Sequence, residues 1–255
     1  MRKIFGILFS ILTMLFTLTA IIWFISGDGG LLSSEMLRCA PPQTTGLPSR
    51  EYPAVGEMIA GYLTGREDSF QHVFTDDAGI QRQCFQPHEA AHMADCRELI
   101  RLDRLVMFVS GGLALILLGA AVLSGKGRED FRRGMLWGLL GFGLLAGALL
   151  IWAVADFDGF FLAFHRAAFT NEGWLLDPRT DLLIRLMPEE FFISLGLRGL
   201  PWALSVPVLL AIAAGTGRTL EKRRSNHDIR GSFPPGGGEA ANPGSCADSG
   251  AGDQL

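Results

Sequence analysis

IFGILFSILTMLFTLTAIIWFI, residues 4–25, carries no charged side chain. A helix needs about 20 apolar residues to cross the hydrocarbon core of a bilayer. No water reaches the backbone there, so a spanning segment must satisfy its own N–H and C=O groups as a helix or as part of a closed barrel. The stretch reads as a membrane helix. Arg2 and Lys3 precede it like the basic end of a signal peptide. The apolar run, however, exceeds the ~7–15 residues of a signal-peptide core, and no small-residue cleavage site follows. Cys39 follows Arg38, which argues against lipoprotein-type cleavage. The helix is expected to stay on the chain.

Three more stretches repeat the pattern: about 105–123, 134–155 and 199–215. The last is the weakest, being short and holding Pro201 and Pro207. Proline is tolerated in membrane helices where neighbouring groups meet the freed carbonyls. Of 255 residues, 49% are hydrophobic and mean hydropathy is +0.29, with the excess clustered in these four stretches. A net charge of -4 gives no reason to expect a nucleic-acid partner. The expected fold class is an all-α membrane protein, with four transmembrane helices and an outward-facing region of short amphipathic helices and loops.

Orientation follows from short basic segments, which stay in the cytoplasm. Arg2 and Lys3 precede the first span, Lys126, Arg128, Arg132 and Arg133 separate the second and third, and Arg218, Lys222, Arg223 and Arg224 follow the fourth. Both termini are therefore expected inside, with segments of about 26–104 and 156–198 outside. Residues 231–255 are rich in Gly, Pro and Ser and are expected to form a disordered cytoplasmic tail carrying Cys246.

In the first outer segment, 54–64 suits a short amphipathic helix, 65–86 looks irregular or short-stranded, and Pro87 suits the first position of a helix running into the second span. In the second, Phe157, Phe160, Phe161 and Phe164 recur at helical spacing, as in an aromatic belt at the lipid headgroups. Asp177-Pro178 reads as a helix start with Asp177 as N-cap, and Pro188-Glu189-Glu190 as the start of a second short helix. Together these would form a lipid-facing platform.

HEAAHMADC, residues 88–96, contains the His-Glu-x-x-His pattern of zinc proteases in His88, Glu89 and His92. Catalytic zinc needs a third protein ligand as well. Glu172 is the candidate, but it sits in a turn close before Asp177-Pro178, and no further histidine follows at a suitable spacing. No metal or other cofactor is expected. Cys96 lies one turn from His92, so a Cys–His nucleophile is conceivable. A disulfide from Cys39 to Cys84 or Cys96 competes with it.

Phe85, Glu89, His92, Met93 and Asp95, followed by Phe164-His165, Phe169, Asn171, Trp174, Asp177-Pro178, Thr180-Asp181, Leu183-Ile184, Leu186 and Pro188, form a pattern that resembles the bacterial lipoprotein intramolecular transacylases. The resemblance implies a four-span enzyme of the bacterial cytoplasmic membrane with its active site on the outer face. Its substrate would be a diacylated lipoprotein held among membrane lipid. One ester-linked acyl chain would move from the glycerol of the N-terminal diacylglyceryl-cysteine to the α-amino group of that cysteine, leaving a lyso-form lipoprotein. The family's two histidines fall on His92 and His165. Imidazole suits the task, because aminolysis must take a proton from the amine and return one to the glycerol oxygen. Glu89 or Asp95 would orient His92, and Asp177 or Asp181 would orient His165, with Asn171 and Trp174 in supporting positions. This sequence departs from the pattern at Cys96, where a small apolar residue is usual, and at His88. Two other readings compete: a zinc protease built on His88, Glu89 and His92, and a non-enzymatic membrane protein that binds lipid or a partner.

Overall fold

The computed structural model describes residues 1–76, 78–124 and 127–231, with side chains through 216. Among the described residues the regular structure is helical apart from one small hairpin. Four long helices carry apolar windows able to cross a membrane: α1 (Arg2–Gly27), α5 (Pro87–Ser124), α6 (Arg128–Ala155) and α9 (Glu189–Gly231). Between them lie α2 (Gly29–Cys39), α3 (Pro42–Thr45), α4 (Tyr52–Thr64), α7 (Phe157–Ala168) and α8 (Leu182–Leu186). β1 (Val73–Thr75) and β2 (Gln81–Gln83) pair antiparallel.

In the span layer α1 packs against α5 and α6. Its polar side chains fold back on their own helix: the Thr13 and Thr17 hydroxyls donate to the carbonyls of Phe9 (2.7 Å) and Thr13 (2.8 Å). Such i−4 bonding hides a hydroxyl from an apolar surround. The α1–α6 seam depends on glycine. A Cβ on Gly134 would lie 2.0 Å from the Lys3 carbonyl oxygen, and one on Gly6 would lie 2.0 Å from that of Phe131. Small residues of this kind let helix backbones approach closely in a membrane, where packing rather than hydrophobicity holds helices together. The outer faces of the spans are bare and apolar, as at Phe108, Leu115, Leu144 and Trp202.

The larger core lies in a second layer, where α2, α4, the start of α5, α8 and the start of α9 meet around Met36, Tyr52, Ile59, Phe85, Leu186 and Phe191. Asp28 caps α2 by accepting the Leu31 N–H at 2.9 Å, which separates α2 from α1. The Tyr52 hydroxyl donates to the Ala40 carbonyl and also bonds the Thr45 hydroxyl, tying α4 to the α2–α3 turn.

Two local expectations fail. Asp177-Pro178 starts no helix: it forms a turn, and α8 begins at Leu182 with Asp181 in the cap position. Pro188 precedes no separate short helix either, because α9 runs unbroken from Glu189 through Pro201 and Pro207. Of the apolar residues expected on a lipid-facing platform, Phe191 is buried in the larger core, while Phe164 and Phe192 are exposed. The expected tail, with Cys246, lies outside the described residues from 232 onward.

Candidate active site

The site is built first on the opening turn of α5. Gln86 precedes the helix, Pro87 takes its first position, and Glu89 falls at the third, where a carboxylate can reach back to the free N–H groups of the helix start. The Glu89 carboxylate is fully buried and accepts the Gln86 N–H at 2.6 Å. Its other oxygen accepts the Leu183 N–H at 2.7 Å, at the start of α8. One side chain thus caps two helices and fixes α8 against α5. Glu89 is therefore a shared cap and not the partner of His92.

One turn on, His92 is buried, and Asp95 lies beyond it on the same helix. The Asp95 carboxylate accepts the Asn171 amide at 2.9 Å, and the Asn171 amide oxygen accepts the Gly173 N–H at 2.8 Å. This pair ties the α7–α8 loop to α5 and so sets where Trp174 lies.

His165 comes from the last turn of α7, whose first turn is capped by Asp156 accepting the Gly159 N–H at 3.0 Å. His165 Nδ1 lies 2.8 Å from the Phe161 carbonyl oxygen. A carbonyl can only accept, so Nδ1 carries the proton, and the neutral ring keeps its lone pair on Nε2. Aromatic rings enclose it: Phe161 at 3.9 Å between centroids, Trp174 at 5.0 Å, Phe164 at 5.2 Å and Phe169 at 5.6 Å. The aromatic stripe of α7, expected as a headgroup belt, instead turns Phe161 and Phe164 toward the histidine.

The His92 and His165 rings face one another with centroids 6.2 Å apart and planes inclined by 35°. Both line a cavity of about 270 Å³ whose other walls are mostly apolar, including Leu63, Met93, Leu99, Ile100, Leu183 and Ile184. Burial lowers the pKa of His92, and the neighbouring His165 lowers it further against a smaller opposing pull from Asp95. Burial also lowers that of His165, partly offset by its bond to the Phe161 carbonyl. Both imidazoles are neutral near pH 7, in an apolar surround where each can accept a proton.

Cys96 Sγ lies 3.5 Å from His92 Nε2. Burial, reinforced by Asp95, pushes its pKa up to about 12. It rests as a thiol, so a Cys–His nucleophile would first have to give its proton to His92. Cys39, Cys84 and Cys96 are all free, so neither competing disulfide is present.

The remaining candidates sit elsewhere. Asp181 is buried and accepts the Asp177 N–H (2.8 Å), the Thr180 hydroxyl (2.8 Å) and His88 Nε2 (3.0 Å). Burial acts to raise its pKa, but the bonds from His88, the Asp177 backbone and Thr180 hold it below the usual carboxylate range. Asp177 is occupied by the Arg179 guanidinium at 2.8 Å. Both aspartates are committed to the loop, and the bond that orients His165 comes from the Phe161 backbone instead. His88 turns to Asp181 with its side chain 55% exposed, away from His92. Among the described residues no group of three or more His, Cys, Asp or Glu side chains could hold a metal ion, so the zinc reading lacks a ligand set.

Sequence reasoning missed two features. Phe161 acts through its backbone carbonyl, which no side-chain pattern reveals. Glu35 of α2, buried, accepts from Arg38 (2.7 Å) and the Ser194 hydroxyl (2.5 Å) and also from Arg198, joining α2 to the head of α9.

The family profile of the lipoprotein intramolecular transacylase Lit matches residues 7–192. No curated protein sequence matches the chain. Its fold is similar to the in meso structure of the membrane integral lipoprotein intramolecular transacylase Lit from Bacillus cereus, with a TM-score of 0.64, 21% identity, and coverage of 88% of this chain and 96% of that one. Two further structures of that protein, carrying a histidine-to-arginine and a histidine-to-alanine mutation, each match with a TM-score of 0.61, 21% identity and 88% coverage of this chain, and cover 93% and 94% of theirs. A multi-pass helical membrane chain whose sequence follows this profile from its first span to the head of its fourth belongs to the lipoprotein intramolecular transacylase family, and is an acyltransferase.

Proposed function

We propose that this acyltransferase moves one ester-linked acyl chain from the glycerol of a diacylglyceryl-cysteine to the α-amino group of the same cysteine, using His92 and His165 for the proton transfers. The observation that carries the proposal is the facing of two buried, neutral imidazoles across an apolar cavity, 6.2 Å apart at their centroids. In the reaction the amine nitrogen bonds to the ester carbonyl carbon, the carbon–oxygen bond to glycerol breaks, and a proton passes from nitrogen to the glycerol oxygen. No oxidant, metal or acyl-enzyme is required. Amine and ester belong to one molecule, so holding them together replaces a second substrate. Nε2 of neutral His165 is the acceptor that faces this chemistry, and the two rings divide the proton transfers between them. The collar of Phe161, Phe164, Phe169 and Trp174 keeps water from the ester, which hydrolysis would otherwise consume.

The basic residues at Arg2–Lys3 and Arg128–Arg133 support cytoplasmic termini, with the catalytic cavity at the outer face of the bacterial cytoplasmic membrane. In α5, His92 precedes the apolar window of about 105–123, which supports a cavity outside the hydrocarbon layer, on the side from which an amphiphilic substrate would enter.

Mass spectrometry of a lipoprotein N-terminus, incubated with the chain in the absence of any added lipid donor, tests the reading. An N-acyl group on the cysteine is expected with the parent chain and is expected to be lost with His92→Ala or His165→Ala. Undiminished product from both variants would sink it. Unchanged activity in chelator and in His88→Ala is expected as well, and sets the reaction apart from zinc hydrolysis.

A further inference from the structure

A second depression lies on the membrane-distal side of the catalytic cavity. It has a volume of about 560 Å³ and sits between the β1–β2 hairpin, the turn after α3, and α8. Its walls are polar where those of the catalytic cavity are apolar: the Asp76–Arg82 ion pair, Arg185, Gln83 and Gln86 line it. The two spaces share α8 as a partition, since Leu182 lines the polar groove and its neighbour Leu183 lines the catalytic cavity. Position along α5 gives the direction. Gln86, in the groove, precedes His92 by six residues, about 9 Å of helix, and the bilayer window lies on the opposite side of His92.

The hairpin that borders this groove has an open edge. Cys84 donates to the His72 carbonyl at 2.8 Å and Asp76 to the Ile80 carbonyl at 2.9 Å. By antiparallel alternation Phe74 and Arg82 form the hydrogen-bonded pair between them. Gln81 and Gln83 then direct their backbone N–H and C=O away from β1. All of β2 is exposed, and no backbone partner meets that edge among the described residues.

We infer that the polar groove receives the extended polypeptide that follows the modified cysteine of the substrate, and pairs it with the outward edge of β2. The inference rests on the proposed reaction. In that substrate the reacting amine and the first peptide carbonyl belong to the same cysteine, so the polypeptide must leave the apolar cavity within a residue or so, away from the bilayer. The groove lies in that direction, and the hairpin that borders it offers backbone groups to pair with. Pairing through main-chain hydrogen bonds makes few demands on the side chains of the polypeptide.

Two substrates given to the full chain in proteoliposomes test this: a diacylated lipoprotein, and diacylglyceryl-cysteine amide with no polypeptide. Gln83→Pro removes an N–H that points out of the hairpin and takes no part in its ladder, a substitution edge strands accept. Ala78→Trp adds bulk at the exposed hairpin turn and covers the case in which the proline variant fails to fold. Each is expected to lower kcat/KM for the lipoprotein by about tenfold while leaving the amide within about twofold of the parent chain. Equal effects on both substrates, including no effect, would overturn the groove assignment while the reaction stands. A parent chain that converts neither substrate would overturn the reaction and the groove together.

Discussion

The Glu89 carboxylate accepts the backbone N–H of Leu183 at 2.7 Å while holding that of Gln86 at 2.6 Å. A carboxylate at the third position of α5 thereby fixes the start of a helix far along the chain. Leu183 and Ile184 line the catalytic cavity, so the bond sets the cavity's shape as well as its stability.

Glu89→Ala should leave two backbone N–H groups unpaired, at about 1–3 kcal/mol for the buried one of Leu183 and less for that of the exposed Gln86. Glu89→Gln keeps one acceptor and turns an amide donor toward the other N–H, so it too should destabilise. Thermal unfolding in detergent is expected to show a lower Tm for both variants, with N-acylation falling in parallel. A Tm equal to that of the parent chain would remove the double-cap role.

The titration of His92 and His165 should report their burial. Both histidines titrate below their ordinary value of 6.5, chiefly because burial disfavours the charged ring. The sign follows: the working neutral forms are retained above that value and lost only as pH falls below it. NMR titration of the two rings, which separates them from the substrate's own α-amine, is expected to give midpoints below 6.5. A midpoint above 6.5 would contradict the desolvated setting of both rings.

Cys96 should prove to be a wall and not a nucleophile. Its pKa, pushed up to about 12, leaves it protonated at neutral pH. Cys96→Ala is expected to retain N-acylation within about threefold, whereas Cys96→Phe should fill the space beside His92 and abolish it, as overpacking a formed cavity does. Loss of product in the alanine variant would return the thiol to the chemistry.

The α1–α6 seam should tolerate no side chain at Gly134. A Cβ there would lie 2.0 Å from the Lys3 carbonyl oxygen, a backbone atom that cannot swing away. Gly134→Ala should force the helices apart at a cost of about 1–3 kcal/mol, visible as a lower Tm. Gly147→Ala, where a Cβ would meet nothing within 4 Å, serves as the control and is expected to leave Tm unchanged.

What the sequence determined on its own were the features written locally in the chain. Residues 4–25 form a helix because an apolar run in lipid has to bond its own backbone, and Pro87 opens α5 because its missing N–H costs nothing there. The periodic phenylalanines placed α7, and the motif residues singled out His92 and His165. Tertiary structure decided the partners. Glu89 and Asp95 were both candidates to orient His92, but one caps α8 and the other holds Asn171. Asp181 is taken up by His88 and its own loop, and the bond fixing the His165 tautomer comes from a backbone carbonyl that has no signature in the sequence. Pro188 and Asp177 misled for a related reason, because a proline or an aspartate suits a helix start and a turn equally well. Spacing along a helix fixes which side chains share a face. Which of them meet a given donor depends on how separate helices pack, and that is set by contacts between segments rather than within them.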